Sequence, residues 1–370
     1  MNIKSLKSTV AASLLLSATV AGCSDWTDAE ALRKNEYDPN NSAFPETYYQ
    51  ALRDYKKSPH SISFGWFDNW TEPGADYSGS LMGVPDSMDV VSLWSGSSNL
   101  KDWQKMDLKM VQEKKGTKVV PCSFTRYVGQ GFTPAEYDTP EKRNEFWGWV
   151  NGDDAAIEAS IKKYAKAIID TLNKYNYDGF DIDFEPHYGY GGPLASDNGK
   201  MHILISELGK YIGPKSENPE KLLIVDGEPQ SLNAETGPYI SYFVIQAYSG
   251  TGGNPAGWSN SVRNLDSRLS GLISTFGSTV GEETVTNRTV MTENLEPALE
   301  ALNGGYRFTD RNGACDINEI PSMLGMAMWE PFNGFRKGGF GAYKFNNESV
   351  NNPRYKWMRR GIQAQNPASK

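Results

Sequence analysis

Cysteine and histidine are scarce in this sequence. Among 370 residues there are three cysteines, Cys23, Cys122 and Cys315, and three histidines. So few cysteines cannot form the disulfide framework of a small secreted domain, and we expect no bridge between Cys122 and Cys315. Three scattered histidines exclude a Cys/His metal cluster, and the absence of a Gly-x-Ser-x-Gly motif argues against a Ser-His-Asp triad. The chemistry of the chain must come from other residues.

Basic charge and long apolar runs are also limited. The 37 lysine and arginine residues are outnumbered by 45 aspartates and glutamates, which gives a formal net charge of -8. An acidic chain without a basic stripe is a poor ligand for phosphate backbones, so we expect no nucleic-acid partner. Beyond the N-terminal segment, no run approaches the roughly 18 apolar residues of a membrane-spanning helix.

The N-terminal segment has the pattern of a bacterial lipoprotein signal. Two lysines precede an apolar run, Val10–Val20, which is too short to span a membrane stably. The run ends in Val-Ala-Gly-Cys, and its cysteine, Cys23, is the predicted site of lipidation. A secretory signal with an incidental cysteine is the alternative. We expect a signal peptide over residues 1–22, a polar tether over residues 23–44, and lipid anchoring in a bacterial cell envelope, at the outer membrane or cell surface.

The body of the chain alternates β-rich apolar runs with helical patterns, which is typical of an α/β fold with a parallel sheet. The clearest helical pattern, Asp153–Tyr175, has apolar residues three or four positions apart. Eight such units predict a single (β/α)8 TIM barrel over residues 45–370. The predicted strands are Ser61–Phe67, Asp89–Trp94, Lys118–Phe124, Gly179–Glu185, Leu222–Asp226, Tyr242–Tyr248, Thr289–Glu293 and Leu324–Trp329.

The fourth predicted strand is rich in acids, since residues 177–186 read YDGFDIDFEP. Side chains alternate along a strand, so Asp181, Asp183 and Glu185 share one face, and the apolar residues share the other. Asp178 has the opposite parity and is predicted to be structural. Buried acids on one face repel one another and lose solvation, which is useful when one carboxyl must hold a proton while a neighbour stays charged. A half-exposed strand with solvated acids is the alternative.

The stretch DGFDIDFE resembles the DxxDxDxE signature of glycoside hydrolase family 18, the chitinases and endo-β-N-acetylglucosaminidases. The resemblance implies a TIM barrel over roughly residues 58–365, with the motif on the fourth strand. It also implies retaining catalysis in which the 2-acetamido oxygen of the sugar is the nucleophile and an oxazolinium forms. Glu185 would protonate the leaving oxygen and then activate water, Asp183 would hold the acetamido N–H, and Asp181 would share a proton with Asp183. No metal or organic cofactor is required.

The resemblance implies further residues that bind the substrate. Tyr248 on strand six matches a tyrosine that hydrogen-bonds the acetamido group, and Gln246 on the same face is expected to assist. Trp329 matches an aromatic floor beneath the reacting sugar, on the expectation that it ends strand eight. Trp66 and Trp94 lie at the ends of strands one and two, where they serve as sugar platforms or as core residues. Core packing is the alternative for Tyr248 and Trp329 as well.

Two departures from chitinases bear on the substrate. Many chitinases carry Met-x-Tyr-Asp on strand six, whereas here Ser249 replaces the aspartate. Only about 30 residues separate Glu293 from Leu324, too few for the small domain that many chitinases insert there. Both departures favour an open cleft and an endo-β-N-acetylglucosaminidase that cuts the β-1,4 bond of the chitobiose core of N-glycans on glycoproteins. A chitinase and a non-catalytic glycan-binding lipoprotein are the alternatives. We expect a monomer.

Overall fold

The computed structural model describes residues 44–72, 79–94, 98–249, 259–310 and 320–367. The predicted signal peptide, the lipidation site Cys23 and Cys315 lie outside the described residues, as does the predicted tether except for Phe44. Among the described helices, none combines the length and the apolar character needed to cross a membrane.

Eight parallel strands close into a barrel, which confirms the predicted (β/α)8 fold. In chain order the strands of the molecule are β1 Ile62–Phe67, β2 Val90–Trp94, β3 Lys118–Phe124, β4 Gly179–Phe184, β5 Leu222–Gly227, β6 Tyr242–Gln246, β7 Ser259–Ser261, β8 Thr289–Asn294, β9 Arg307–Thr309 and β10 Gly339–Tyr343. The order around the barrel is β1-β10-β8-β6-β5-β4-β3-β2, and β7 pairs with β9 in a separate two-stranded sheet. Because all barrel strands are parallel, their carboxyl ends meet at one mouth.

The helices of the described residues surround or cap this barrel. They are α1 Glu46–Lys57, α2 Asp102–Met110, α3 Pro140–Trp147, α4 Asp154–Tyr175, α5 Asn198–Leu208, α6 Val262–Val280, α7 Glu282–Asn287, α8 Ala298–Asn303, α9 Ser322–Met328 and α10 Lys356–Gln365. Helix α4 matches the strongest helical pattern of the sequence. Its first turn is capped by the Asp153 side chain, which accepts a hydrogen bond from Ala156 N at 3.0 Å.

The predicted eighth strand, Leu324–Trp329, is wrong. These residues belong to α9 and its end, and the strand that closes the barrel is β10, between β1 and β8. A short apolar run that is buried on all sides has the same pattern in a helix and in a strand, so its composition misleads. Strand β10 is rich in glycine, which hides it from propensity rules. Its glycines allow close packing, since a Cβ on Gly341 would lie 2.2 Å from Phe64 O.

Strand β4 separates its two faces as the alternation predicts. Phe180, Ile182 and Phe184 are fully buried on the outer face, where Phe180 has Phe132 as a ring neighbour at 6.1 Å between centroids. Asp181 and Asp183 are buried inside the barrel. Their layer lies within an apolar interior formed by Ile62, Phe64, Trp66, Val90, Val120, Cys122, Leu222, Ile224, Val244 and Val290. The acids are therefore held in a rigid, poorly solvated position.

Candidate active site

Asp181 is the deepest of the acids on β4. It is fully buried, and its Oδ2 accepts hydrogen bonds from Ser92 Oγ at 2.6 Å and from Trp66 Nε1 at 3.1 Å. Burial raises the pKa of Asp181 to about 6, although the donors oppose that shift. Trp66 is only 1% exposed. The predicted sugar platform at Trp66 is thus a buried side chain that holds Asp181.

Asp183 lies one layer nearer the mouth and has an unusual environment. It is 1% exposed, and among the described residues no N–H or hydroxyl group donates to its carboxylate oxygens, whose polar neighbours are the carboxyl groups of Asp226 and Glu185. Burial raises its pKa well above the ordinary value, and the charges of Glu185 and Asp181 raise it further. The raised pKa favours the protonated form of Asp183, and a donor or a positive charge beside it would favour the ionised form.

Asp226 on β5, which sequence reasoning missed, completes this group of acids. Its Cα pairs with that of Asp183 across the β4–β5 register, and its side chain is fully buried. Gln246 Nε2 donates to Asp226 Oδ1 at 3.0 Å. Burial and the neighbouring charges of Asp183 and Asp181 raise the pKa of Asp226 well above its usual range. The sequence signal that could have identified Asp226 is its position as an acid at the end of the apolar run Leu222–Asp226, where a barrel strand reaches the mouth.

Glu185 follows the last residue of β4 and is only partly buried. Burial raises its pKa, the charge of Glu228 adds to the rise, and a hydrogen bond from Gln246 opposes it. A partly exposed carboxyl group whose pKa lies above its ordinary value is suited to general acid catalysis. Glu185 thus differs from Asp181 and Asp183 because its carboxyl group is partly exposed, whereas theirs are buried.

Glu228 holds the loop that carries Glu185. Its backbone N donates to Phe184 O at 2.8 Å, and its carboxylate accepts from His187 N at 2.9 Å. Gly227 precedes it with φ +86°, and a Cβ there would lie 2.6 Å from Phe184 O. Only glycine permits that approach between β4 and β5. Glu228 therefore fixes the backbone both before Glu185, at Phe184, and after it, at His187.

An aromatic wall, formed by Tyr248, Tyr343, Trp94, Phe124 and Tyr190, lies beside the acids. The rings of Tyr248 and Tyr343 are 6.3 Å apart at 29°, and Trp94 contacts both Tyr343 at 5.6 Å and Phe124 at 5.2 Å. Phe124 stacks on Tyr190 at 4.5 Å. Burial, followed by the charges of Asp226 and Asp183, raises the Tyr248 pKa well above normal, so its hydroxyl stays a donor. Trp94 and Tyr248 are thus brought together, as predicted from the barrel rule.

Trp329 does not lie at the end of a barrel strand. It ends α9, is 2% exposed, and its Nε1 donates to Asp266 Oδ1 at 2.9 Å. The end of the true eighth strand is occupied by Tyr343, in the aromatic wall. The prediction that Trp329 ends strand eight is therefore wrong, and the residue at that position, Tyr343, is one that sequence reasoning missed.

A buried glutamate fixes the backbone just after Tyr248. Glu293 on β8 is fully buried and accepts from Ser249 N at 2.8 Å and from Asn294 N at 2.9 Å. The Ser249 hydroxyl donates to the same carboxylate. Burial raises the pKa of Glu293, and these donors oppose the rise.

Asp178 lies at the other end of β4, away from the acids at the mouth, where its Oδ2 accepts hydrogen bonds from Gln112 Nε2 and Val119 N. Asp178 is thus bound to structural partners.

The barrel and its row of buried carboxyl groups define a family of sugar hydrolases. The family model described as glycoside hydrolase family 18, BT1044-like, matches residues 27–364. The chain belongs to glycoside hydrolase family 18, and the motif resemblance is confirmed.

Curated relatives and solved structures agree with this assignment. The chain is 28% identical to endo-beta-N-acetylglucosaminidase F2 of Elizabethkingia meningoseptica over 203 residues, 52% of each protein. It is 24% identical to endo-beta-N-acetylglucosaminidase EndoS of Streptococcus pyogenes serotype M1, over 77% of this chain and 29% of EndoS. It therefore spans about half of the first relative and less than a third of the second. The solved structure of a BT1044 variant superposes with a TM-score of 0.74 and 30% identity, over 90% of this chain and 96% of that one.

Proposed function

We propose that this hydrolase is an endo-β-N-acetylglucosaminidase that cuts the β-1,4 bond in the chitobiose core of N-glycans. The main support is Asp183, a buried carboxyl group whose oxygens receive no N–H or hydroxyl donor, one layer below the partly exposed Glu185. Such a group is suited to accept the N–H of a 2-acetamido group, which every sugar of the chitobiose core carries. Two curated relatives carry the name endo-beta-N-acetylglucosaminidase.

In the proposed mechanism Glu185 moves the proton. Its raised pKa favours the protonated carboxyl group, which can protonate the leaving oxygen. Once the leaving sugar departs, the same carboxylate takes a proton from the attacking water. The acetamido oxygen of the substrate is the nucleophile in between, and two displacements at the anomeric carbon retain its configuration.

Asp183 stabilises the ring that the acetamido group forms. Before substrate binds, burial and neighbouring charges favour its protonated form. The N–H of the substrate and the positive charge of the oxazolinium reverse that preference, so Asp183 ionises when it is needed. Its proton can pass to Asp181 or Asp226, the two buried carboxyl groups that flank it. The three aspartates then titrate as one coupled group.

Tyr248 and Gln246 complete the proposed site. The raised pKa of Tyr248 keeps its hydroxyl protonated, so it can donate to the acetamido carbonyl and aim the oxygen at the anomeric carbon. Gln246 holds Asp226 through its Nε2. Trp94, Tyr190 and Tyr343 of the aromatic wall provide faces on which sugar rings stack. The proposal also includes a monomer anchored to the cell envelope through a lipid on Cys23, with glycoproteins as its substrates.

The test is digestion of a denatured N-glycosylated protein, with Glu185→Gln as the matched control. Cleavage of the chitobiose core leaves one N-acetylglucosamine on each asparagine, which a gel shift and peptide mass spectrometry detect. Release of glycans by the wild type and not by the control supports the proposal. Hydrolysis of chitooligosaccharides alone indicates a chitinase, and binding to glycoprotein without hydrolysis by the wild type indicates a glycan-binding protein. Either result overturns the proposal.

A further inference from the structure

A thiol lies among the buried carboxyl groups. Cys122 on β3 pairs in register with Asp181, and its Sγ is 3.8 Å from Asp226 Oδ2. Cys122 Sγ, one oxygen of Asp183 and one oxygen of Asp226 all lie within 4.8 Å of one another. All three side chains are buried. The proposed mechanism gives this thiol no role.

We infer that Cys122, Asp183 and Asp226 form a binding site for a thiophilic divalent cation, zinc, and that the bound ion blocks the hydrolase. The binding site follows from the geometry of the three side chains, whereas the block rests on the proposed function. Zinc favours thiolate and carboxylate ligands, and three protein ligands leave a fourth position open for water.

The distances suit a small cation. With a Zn–S bond of about 2.3 Å and a Zn–O bond of about 2.0 Å, the sulfur and oxygen ligands of a tetrahedral ion are roughly 3.5 Å apart. The observed distance between Cys122 Sγ and Asp226 Oδ2 is 3.8 Å. The Asp183 carboxylate lies within 4.8 Å of both groups, so a small side-chain rotation brings it to the ion.

The electrostatics favour the same ligand. The unbonded oxygens of Asp183 gain a partner, and a double positive charge offsets the repulsion among the buried acids. Binding requires the thiol and the two carboxyl groups to release their protons to solvent. Zinc therefore competes with protons, and its affinity rises with pH. A bound ion also occupies the Asp183 oxygens that would accept the acetamido N–H, so zinc and substrate exclude each other.

Cadmium titration of the intact protein tests the site without any need for activity. Cadmium bound to a thiolate gives an ultraviolet charge-transfer band. We expect that band in the wild type, saturating at one equivalent, and in Cys315→Ser, a matched control that keeps Cys122. We expect its loss in Cys122→Ser. Asp226→Asn should keep the thiolate but bind at least about tenfold more weakly, since even indirect partners of a metal site contribute about that much.

Zinc inhibition of glycan hydrolysis tests the block. The zinc concentration that halves activity should be at least about tenfold higher in Cys122→Ser than in the wild type or Cys315→Ser, each measured against its own metal-free rate. Thermal unfolding first establishes that each variant folds, and Cys122→Ala replaces a Cys122→Ser that does not. A cadmium band that persists without Cys122, or is absent from the wild type, overturns the site. Equal zinc sensitivity of all variants overturns the block. If no glycan is cleaved at all, the proposed function fails and the cadmium result still decides the site.

Discussion

Replacing Asp226 with asparagine should stabilise the protein, and more so as the pH rises. An oxygen of Asp226 lies within 4.8 Å of an oxygen of Asp183. Two ionised carboxylates at that distance repel each other by about 3.5 kcal/mol at an effective dielectric constant of about 20. Asparagine has nearly the same shape and cannot ionise, so Asp226→Asn removes this repulsion while keeping an acceptor for Gln246 Nε2.

The sign of the pH dependence follows from the raised pKa of Asp226. In the unfolded chain an aspartate titrates near about 3.9. Because the folded state holds the proton more tightly, the favourable contribution of Asp226 is complete below about pH 4 and is lost as the pH rises toward the folded pKa. The variant should therefore gain stability over the wild type as the pH rises above about 4, by an amount on the order of 3 kcal/mol once both carboxyl groups of the wild type are ionised.

Unfolding by heat and by urea at a series of pH values measures this difference. Asp170→Asn is the matched control, because Asp170 is exposed on α4 and paired with Lys166, so its loss changes only surface charge. The difference in free energy of unfolding between Asp226→Asn and wild type should grow with pH, and that between Asp170→Asn and wild type should not. A constant difference, or a variant that becomes less stable than wild type as the pH rises, would refute the repulsion argument.

Four further changes test the site and the anchor. Glu185→Gln should reduce hydrolysis to below about 1% of wild type while thiazoline inhibitor binding persists; turnover within about tenfold of wild type removes Glu185 from the acid role. Asp183→Asn should block glycan cleavage yet still transfer preformed oxazoline donors, and loss of transfer in a donor assay contradicts that division of labour. Ser249→Asp should set a second carboxylate against Glu293 and lower activity and melting temperature, and adding Glu293→Ser should restore both; no rescue argues against this contact. Cys23→Ala should move the protein from the membrane fraction to the soluble fraction, and retention in the membrane rejects lipid anchoring.

The sequence predicts those features that depend on local pattern. Alternation along one strand is enough to assign Asp181, Asp183 and Glu185 to a single face, because the period of a strand is fixed by its backbone. Three-to-four spacing likewise predicts α4 almost to its ends. The barrel follows from the repeated alternation of strand and helix. None of these inferences requires knowledge of which distant residues meet.

The features that sequence reasoning missed depend on tertiary contacts. Asp226 becomes part of the acidic group only through the register of β5 against β4. Tyr343 could not be found, because the glycines of β10 lower its strand propensity while the apolar residues of α9 imitate a strand. In the sequence Glu293 is only the end of a predicted strand, and its role depends on Ser249, which lies three residues beyond the end of the neighbouring strand β6.

The unfavourable burial of three aspartates at the mouth of the barrel is itself evidence that they have a functional role. Folding gains nothing from a buried aspartate that has other carboxyl groups as its polar neighbours and no N–H or hydroxyl donor, and the two buried aspartates beside it add repulsion. By contrast, the buried Glu228 and Glu293 and the half-buried Asp178 each accept hydrogen bonds from backbone or side-chain donors. The chain can therefore satisfy a buried acid where it needs only structure. Under the proposed function, the N–H of a 2-acetamido sugar supplies the donor that Asp183 lacks, and substrate binding then stabilises a carboxyl group that folding leaves without one.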